Sequence, residues 1–195
     1  MLVLRVLRGL RRLLLTVLPS HAAQAWWSLA WLKAYELTKE PLYLRQAHAI
    51  YEYLLRNSWD VSACGGGCWW SSSKTYKNSI TNALWLALTG ALHATSLEPA
   101  AAKQLAELSG GRPFESLSLA RESWAWIEQS GLRRGAEGLF LDGLSSAQCN
   151  ASYGNDPDAN VTWTCAIHVD RPARAVAVRL LMRLAAVDSA QITKV

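Results

Sequence analysis

QAWWSLAWLKAYELTKEP, residues 24–41, decides the fold class. Trp27, Leu29, Ala30, Trp31, Ala34, Tyr35 and Leu37 recur near a 3.6-residue period, which predicts a helix over 24–38. Thr38-Lys39-Glu40-Pro41 then stops one helix and starts another, because Pro41 suits a first helical turn. Residues 42–57 continue with Leu44, Ala47, Ile50, Tyr51, Leu54 and Leu55 on one face.

The same alternation extends outward. Residues 77–95 read as a third helix rich in Ala and Leu, 100–108 as a short one ended by Gly110-Gly111, and 115–129 as another. A further helical pattern, without aromatic residues, covers 172–187. Asn57–Ser73 and Ser130–Thr164 read as long loops, and no β-branched alternation is long enough for a sheet. The expectation is an all-α fold of paired helices with short and long connections in turn, an α/α toroid whose long loops gather on one rim.

Composition divides the chain in three. It has 195 residues, 51% of them apolar, enough for one domain with a core. The net charge of +5 would invite a nucleic-acid reading, but the charge sits at the ends. Residues 1–21 carry +4, residues 166–195 carry +3, and the middle carries −2. All Trp, Tyr and Phe lie between Trp26 and Trp163. The ends therefore read as different material from the middle, and no nucleic-acid partner is expected. Met1–Leu18 is apolar and arginine-rich without the order of a signal peptide, and its apolar runs are too short for a firm membrane span. Arg5, Arg8 and Arg12 share one helical face, as in a basic amphipathic helix.

Four cysteines, Cys64, Cys68, Cys149 and Cys165, fit disulfides in an oxidising compartment, with three pairings open. Cys64 and Cys68 could instead begin a zinc site, but no second close Cys/His pair follows, so neither metal nor cofactor is expected. Asn150 and Asn160 head glycosylation sequons in the polar stretch, consistent with a secreted protein.

The candidate site is aromatic. An indole stacks on the apolar face of a sugar, while neighbouring polar groups take its hydroxyls. Trp26, Trp27, Trp69 and Trp70 are the candidates, with at least one of each adjacent pair expected to be buried, since neighbours on a helix diverge by about 100°. Gly65-Gly66-Gly67 allows positive φ or close backbone approach, and no phosphate-loop Lys-Ser/Thr follows it. Lys77, Asn78 and Asn82 share a helical face and could bind hydroxyls or cap and solvate the helix. Asp142 could bind a hydroxyl or make a turn.

In order, the chain reads Trp26-Trp27-x-Leu29-Ala30, Tyr43-Leu44 with Ala47, Cys64-Gly65-Gly66-Gly67-x-Trp69-Trp70, Tyr76-Lys77-Asn78-x3-Asn82, Trp126 and Asp142-Gly143. This series resembles glycoside hydrolase family 76, the endo-α-1,6-mannanases and fungal cell-wall mannosidase-like proteins. The resemblance covers 22–164, leaving 1–21 as a basic leader and 165–195 as a tail. It implies part, roughly half, of an (α/α)6 barrel, extracellular or wall placement, and mannan or a mannose-containing oligosaccharide as partner. The family's catalytic Asp-Asp pair falls here on Ala22 and Ala23, just ahead of the first tryptophan pair. Glycoside cleavage needs two carboxylates flanking the bond, so the expectation is a copy without catalysis. The alternatives are a mannan-binding pseudoenzyme or a truncated gene product. After Thr162-Trp163-Thr164 the family continues with Tyr-Asn-Gln-Gly, where this chain has Cys165-Ala166-Ile167-His168. His168 reads as incidental.

Overall fold

The computed structural model describes residues 20–111, 114, 116–134, 139–145 and 149. The leader through Pro19, the sequons at Asn150 and Asn160, Trp163, Cys165, His168 and the 172–187 pattern lie outside these residues.

Five helices account for most of what is described. They are α1 (His21–Thr38), α2 (Pro41–Asn57), α3 (Ser79–Ser96), α4 (Pro99–Leu108) and α5 (Ser116–Gln129). The 24–38 pattern thus extends back to His21, because Ser20 caps the helix: its hydroxyl accepts from Ala23 N at 3.3 Å. Lys39, at φ 57°, ends α1 in the left-handed conformation, and Pro41 opens α2.

Their contacts make two layers. α1, α3 and α5 lie side by side in chain order, and α2 and α4 pack behind them and against each other. Each hairpin therefore has one front and one back helix, the repeating unit of an α/α toroid. α3 is buried almost all round, from Leu84 to Gly90 without a break, because it separates two cores. On one side Leu32, Tyr35, Leu44, Ile50, Tyr51, Leu54, Leu84, Trp85, Leu88 and Leu105 pack together. Tyr51 and Trp59 stack on Trp85 at 5.5 and 6.0 Å. On the other side Leu86 meets Ala120, Trp126, Ile127, Leu132, Leu141 and Leu144.

Strand structure is present in very short pieces, which correct the sequence reading of 77–95 as uninterrupted helix. β1 (Tyr76–Asn78) pairs antiparallel with β4 (Gly143–Ser145), and β2 (Arg133–Arg134) with β3 (Leu139–Phe140). Three residues carry too little alternation to be seen in advance. The β1–β4 pair draws the Asp142 turn onto the start of α3.

Candidate functional site

The loop between α2 and β1 is the framework of the site. Its backbone turns through Gly65, Gly66 and Gly67 at φ +68°, +140° and +92°. Trp126 of α5 lies directly on this turn. A Cβ on Gly67 would stand 2.5 Å from Trp126 Cζ2, and one on Gly66 2.8 Å from Cδ1. The indole Nε1–H of Trp126 donates to Cys64 O at 2.9 Å. The glycines thus serve both purposes, positive φ and close approach, and a buried tryptophan makes that approach.

Lys77 fixes the loop from beneath. Its ammonium is wholly buried and donates to Ala63 O and Gly66 O, each at 2.6 Å, and to Asp60 Oδ2 at 2.8 Å. It also sits 4.4 Å from the Trp69 ring centroid. Burial pulls the Lys77 pKa below the usual lysine value, against the opposing pull of Asp60. For Asp60, partial burial pushes upward, but hydrogen bonds from Lys77 and from Ser62 and Ala63 hold its carboxyl well below the ordinary range.

Asn82 is buried as well. Its Oδ1 accepts from Cys68 N at 2.7 Å, and its Nδ2 donates to Asn78 O at 2.8 Å and Cys68 O at 3.2 Å. The Asn78 side chain caps α3 by accepting from Thr81 N at 3.2 Å. Of the two roles left open for Lys77, Asn78 and Asn82, contact with hydroxyls or support of the helix start, the structure shows the second, with Asn78 as the cap. The Lys77 ammonium, the Asn82 amide and the Asn78 carbonyl oxygen bond within the chain, which holds the glycine loop and the start of α3 in shape. Trp69, 4% exposed, joins them as packing against Lys77.

What faces outward is Trp70, Trp26 and Trp27, at 41%, 48% and 42% exposure. The Trp69–Trp70 pair divides as expected, one in and one out. The Trp26–Trp27 pair does not, since both project from α1. Trp70 is held at both ends of its peptide: its N–H donates to Tyr76 O and its carbonyl accepts from His21 N, each at 2.8 Å. The His21 ring, almost fully buried, bonds through Nδ1 to Trp69 O at 2.7 Å. Burial, aided by Lys74 and opposed by that bond, lowers the His21 pKa below the ordinary histidine value.

Tyr76 extends the rim from the other side. Its hydroxyl donates to Asp142 Oδ2, and Asp142 O accepts from Ser79 N at 2.7 Å. Gly143 makes this possible, since a Cβ there would come within 2.5 Å of the Tyr76 ring and 2.8 Å of Asn78 Cα. Asp142 is half-buried and on the rim. Ala22 and Ala23 occupy the first turn of α1, directly after the residue bonded to Trp70. Their methyl groups supply neither a proton donor nor a nucleophile.

Cys64 forms a disulfide with Cys149 across a sequence separation of 85, which removes Cys64 from any zinc set and excludes its pairing with Cys68 or Cys165. Cys68 is a buried free thiol whose pKa burial pushes up. Among the described residues no three His, Cys, Asp or Glu side chains cluster as metal ligands, and no helix is long and apolar enough to cross a membrane. Sequence reasoning missed Asp60 and His21, whose partners lie 17 and 48 residues away.

Residues 20–165 match glycosyl hydrolase family 76. No curated protein matches the chain. A solved structure from Listeria innocua is similar at 21% identity and TM-score 0.63, covering 86% of this chain and 40% of that one. The GH76A α-1,6-mannanase of Salegentibacter sp. HEL1_6 is similar at 18% identity and TM-score 0.63, covering 83% and 42%. A variant of the same enzyme, with two consecutive aspartates changed to alanine, is described as inactive and in complex with α-1,6-mannotetrose. It is 20% identical, with TM-score 0.60 and coverage of 83% and 42%. At these identities the likeness establishes the fold, part of an (α/α)6 toroid, and the chain spans about two fifths of the length of these structures.

Proposed function

The chain belongs to glycosyl hydrolase family 76, and on that premise we propose that it binds α-1,6-linked mannose chains on its aromatic rim without cleaving them. One observation carries the reading. Trp26, Trp27 and Trp70 are each exposed, while the first turn of α1, just ahead of Trp26 and Trp27, holds Ala22 and Ala23 in place of a carboxylate pair. Stacking of pyranose faces on the three indoles needs no ionised group. Cleavage needs one carboxyl to protonate the leaving oxygen and another to attack carbon or activate water. Asp142 is a single carboxylate already engaged by Tyr76.

The alanine variant of the Salegentibacter enzyme supports this division, because it is described as inactive and yet as a complex with a mannotetrose. Family placement outside the cell or at the wall accords with the Cys64–Cys149 disulfide.

The test is retention of the purified chain on an α-1,6-mannan column, with reducing-end release followed in parallel. Retention without release is expected. Release of oligosaccharides would overturn the non-catalytic half, and passage straight through the column would overturn the binding half.

A further inference from the structure

Trp69 and Trp70 have all their backbone polar groups engaged. Trp69 N–H donates to Ser58 O and Trp70 N–H to Tyr76 O, each at 2.8 Å. The Trp69 carbonyl accepts twice, from the His21 ring at 2.7 Å and from Ser58 Oγ at 2.8 Å. The Trp70 carbonyl accepts from His21 N at 2.8 Å. The first residue of α1 therefore takes two consecutive carbonyls, one with its ring and one with its backbone. Consecutive carbonyls of an extended strand point to opposite edges. Both can face His21 only where the chain bends, and a bend falls at Trp70.

The His21 ring is almost fully buried and meets the edge of Tyr53, with 6.3 Å between centroids. A carbonyl oxygen only accepts, so the nitrogen facing Trp69 O is Nδ1–H, the donor. The peptide between Trp69 and Trp70 is planar, and its orientation sets the direction in which the Trp70 side chain leaves the backbone. The two side chains that donate to this plane, His21 and Ser58, both do so at Trp69 O. Without them the plane keeps only the bond from Trp70 N–H to Tyr76 O, about which it can swing. We propose that His21 is a positioning residue for glycan binding: by fixing the Trp69–Trp70 peptide plane, it aims the exposed Trp70 indole at the sugar. The ligand in this role rests on the mannan reading, whereas the hold on Trp70 does not. His21 also joins the aromatic site to the first turn of α1, where Ala22 and Ala23 follow directly.

The test compares His21→Leu, which removes the donor, with His21→Asn, whose side-chain amide can stand in for Nδ1–H. Each is made in the full chain, alone and together with Trp70→Ala, and run on an α-1,6-mannan column. His21→Leu is expected to weaken retention roughly tenfold, the scale of one lost stacking contact, and His21→Asn to stay within about twofold of the parent. With Trp70→Ala already present, His21→Leu should cause no further loss, because it acts only through that indole. A general loosening of the fold would add its loss in both backgrounds. Retention of His21→Leu equal to the parent, no recovery in His21→Asn, or additive losses would overturn the proposal.

A second readout needs no ligand. Time-resolved anisotropy of Trp70 emission, taken as the difference between each protein and the same protein with Trp70→Phe, reports how firmly the indole is held. It should fall in His21→Leu and recover in His21→Asn, and an unchanged value in His21→Leu would remove the positioning role. If the parent itself passes straight through the column, the mannan reading falls and the anisotropy alone decides. Should His21→Leu fail to fold, Ser58→Ala, which removes the other donor to Trp69 O, should show the same two effects more weakly, and the absence of both would be equally decisive against the proposal.

Discussion

Lys77 holds its ammonium 2.8 Å from the Asp60 carboxylate and entirely out of solvent, with backbone carbonyls of the glycine loop as its other acceptors. Removing one member of such a pair leaves the rest buried without compensation. Lys77→Met is therefore expected to destabilise the fold by about 3 kcal/mol, read as a lowered urea midpoint. Asp60 retains contact with water and with Ser62, so its exposure keeps the loss from being larger. A midpoint unchanged from the parent would show that the loop does not depend on Lys77.

The glycine loop gives a comparison within three residues. Gly67 combines φ +92° with a 2.5 Å approach to Trp126, whereas Gly65, at φ +68°, meets nothing within 4 Å. Gly65→Ala should cost only the left-handed backbone penalty, about 1 kcal/mol. Gly67→Ala should cost roughly 3 kcal/mol or more, since backbone strain and displacement of a buried indole add. Thermal unfolding of the two variants checks the order, and near-UV circular dichroism should register Trp126 moving only in the second. Equal losses would mean that Trp126 yields freely.

These cases show what the sequence made legible. The helices α1, α2 and α5 follow from their apolar residues at helical spacing, and α4 from its stop at Gly110-Gly111. Both sides of the glycine triplet were readable as types of constraint. That Trp126 is the side chain pressing on it was not, because the contact spans about sixty residues. Lys77 and Asn82 looked like surface polar groups on spacing alone. Their burial depends on carbonyls turned inward by a loop whose path no local pattern encodes. Likewise, β1 became visible only once Gly143–Ser145 lay beside it. The exposed pair Trp26-Trp27 departs from the one-in, one-out rule because both residues lie on the face of α1 turned away from its packed neighbours.

The Cys64–Cys149 disulfide closes a long loop, tying the chain beyond β4 back to the glycine turn. A cross-link over 85 residues restricts the unfolded chain strongly, by about 4.6 kcal/mol in the loop-entropy account. Cys149→Ser is expected to lower stability by up to that amount, and reduction of the parent protein should reproduce the loss. Cys68, buried with its thiol pKa pushed up, should remain unreactive to a maleimide until the protein unfolds. Rapid labelling of Cys68 in the native protein would contradict that burial.

Acid should weaken the rim through His21. Burial holds its folded-state pKa below the ordinary value, so the unfolded chain takes up a proton that the folded chain resists. Stability is then intact above about pH 6.5 and falls as pH drops through and below that value. His93, lowered by burial and by Arg121, acts in the same direction. The melting temperature should therefore fall between about pH 7.5 and pH 5.5. His21→Gln should flatten the slope in part, leaving the share due to His93. A slope identical in parent and variant would remove His21 from the account.

Trp69 and Trp70 are adjacent in sequence and opposite in role, which separates binding from folding in one experiment. Trp70 presents its indole to solvent while its peptide is fixed by Tyr76 and His21. Trp70→Ala should leave the melting temperature within a degree or two of the parent, since an exposed side chain contributes little to stability. It should still weaken mannan retention by roughly tenfold, the loss of about 1.4 kcal/mol of stacking. Trp69 lies beneath, against the Lys77 ammonium. Trp69→Ala should lower stability by about 3 kcal/mol through cavity formation and weaken retention only as far as the rim loosens. If Trp69→Ala abolished retention at full stability while Trp70→Ala had no effect, the exposed indole would not be the contact surface, and the assignment of the rim would have to be reversed.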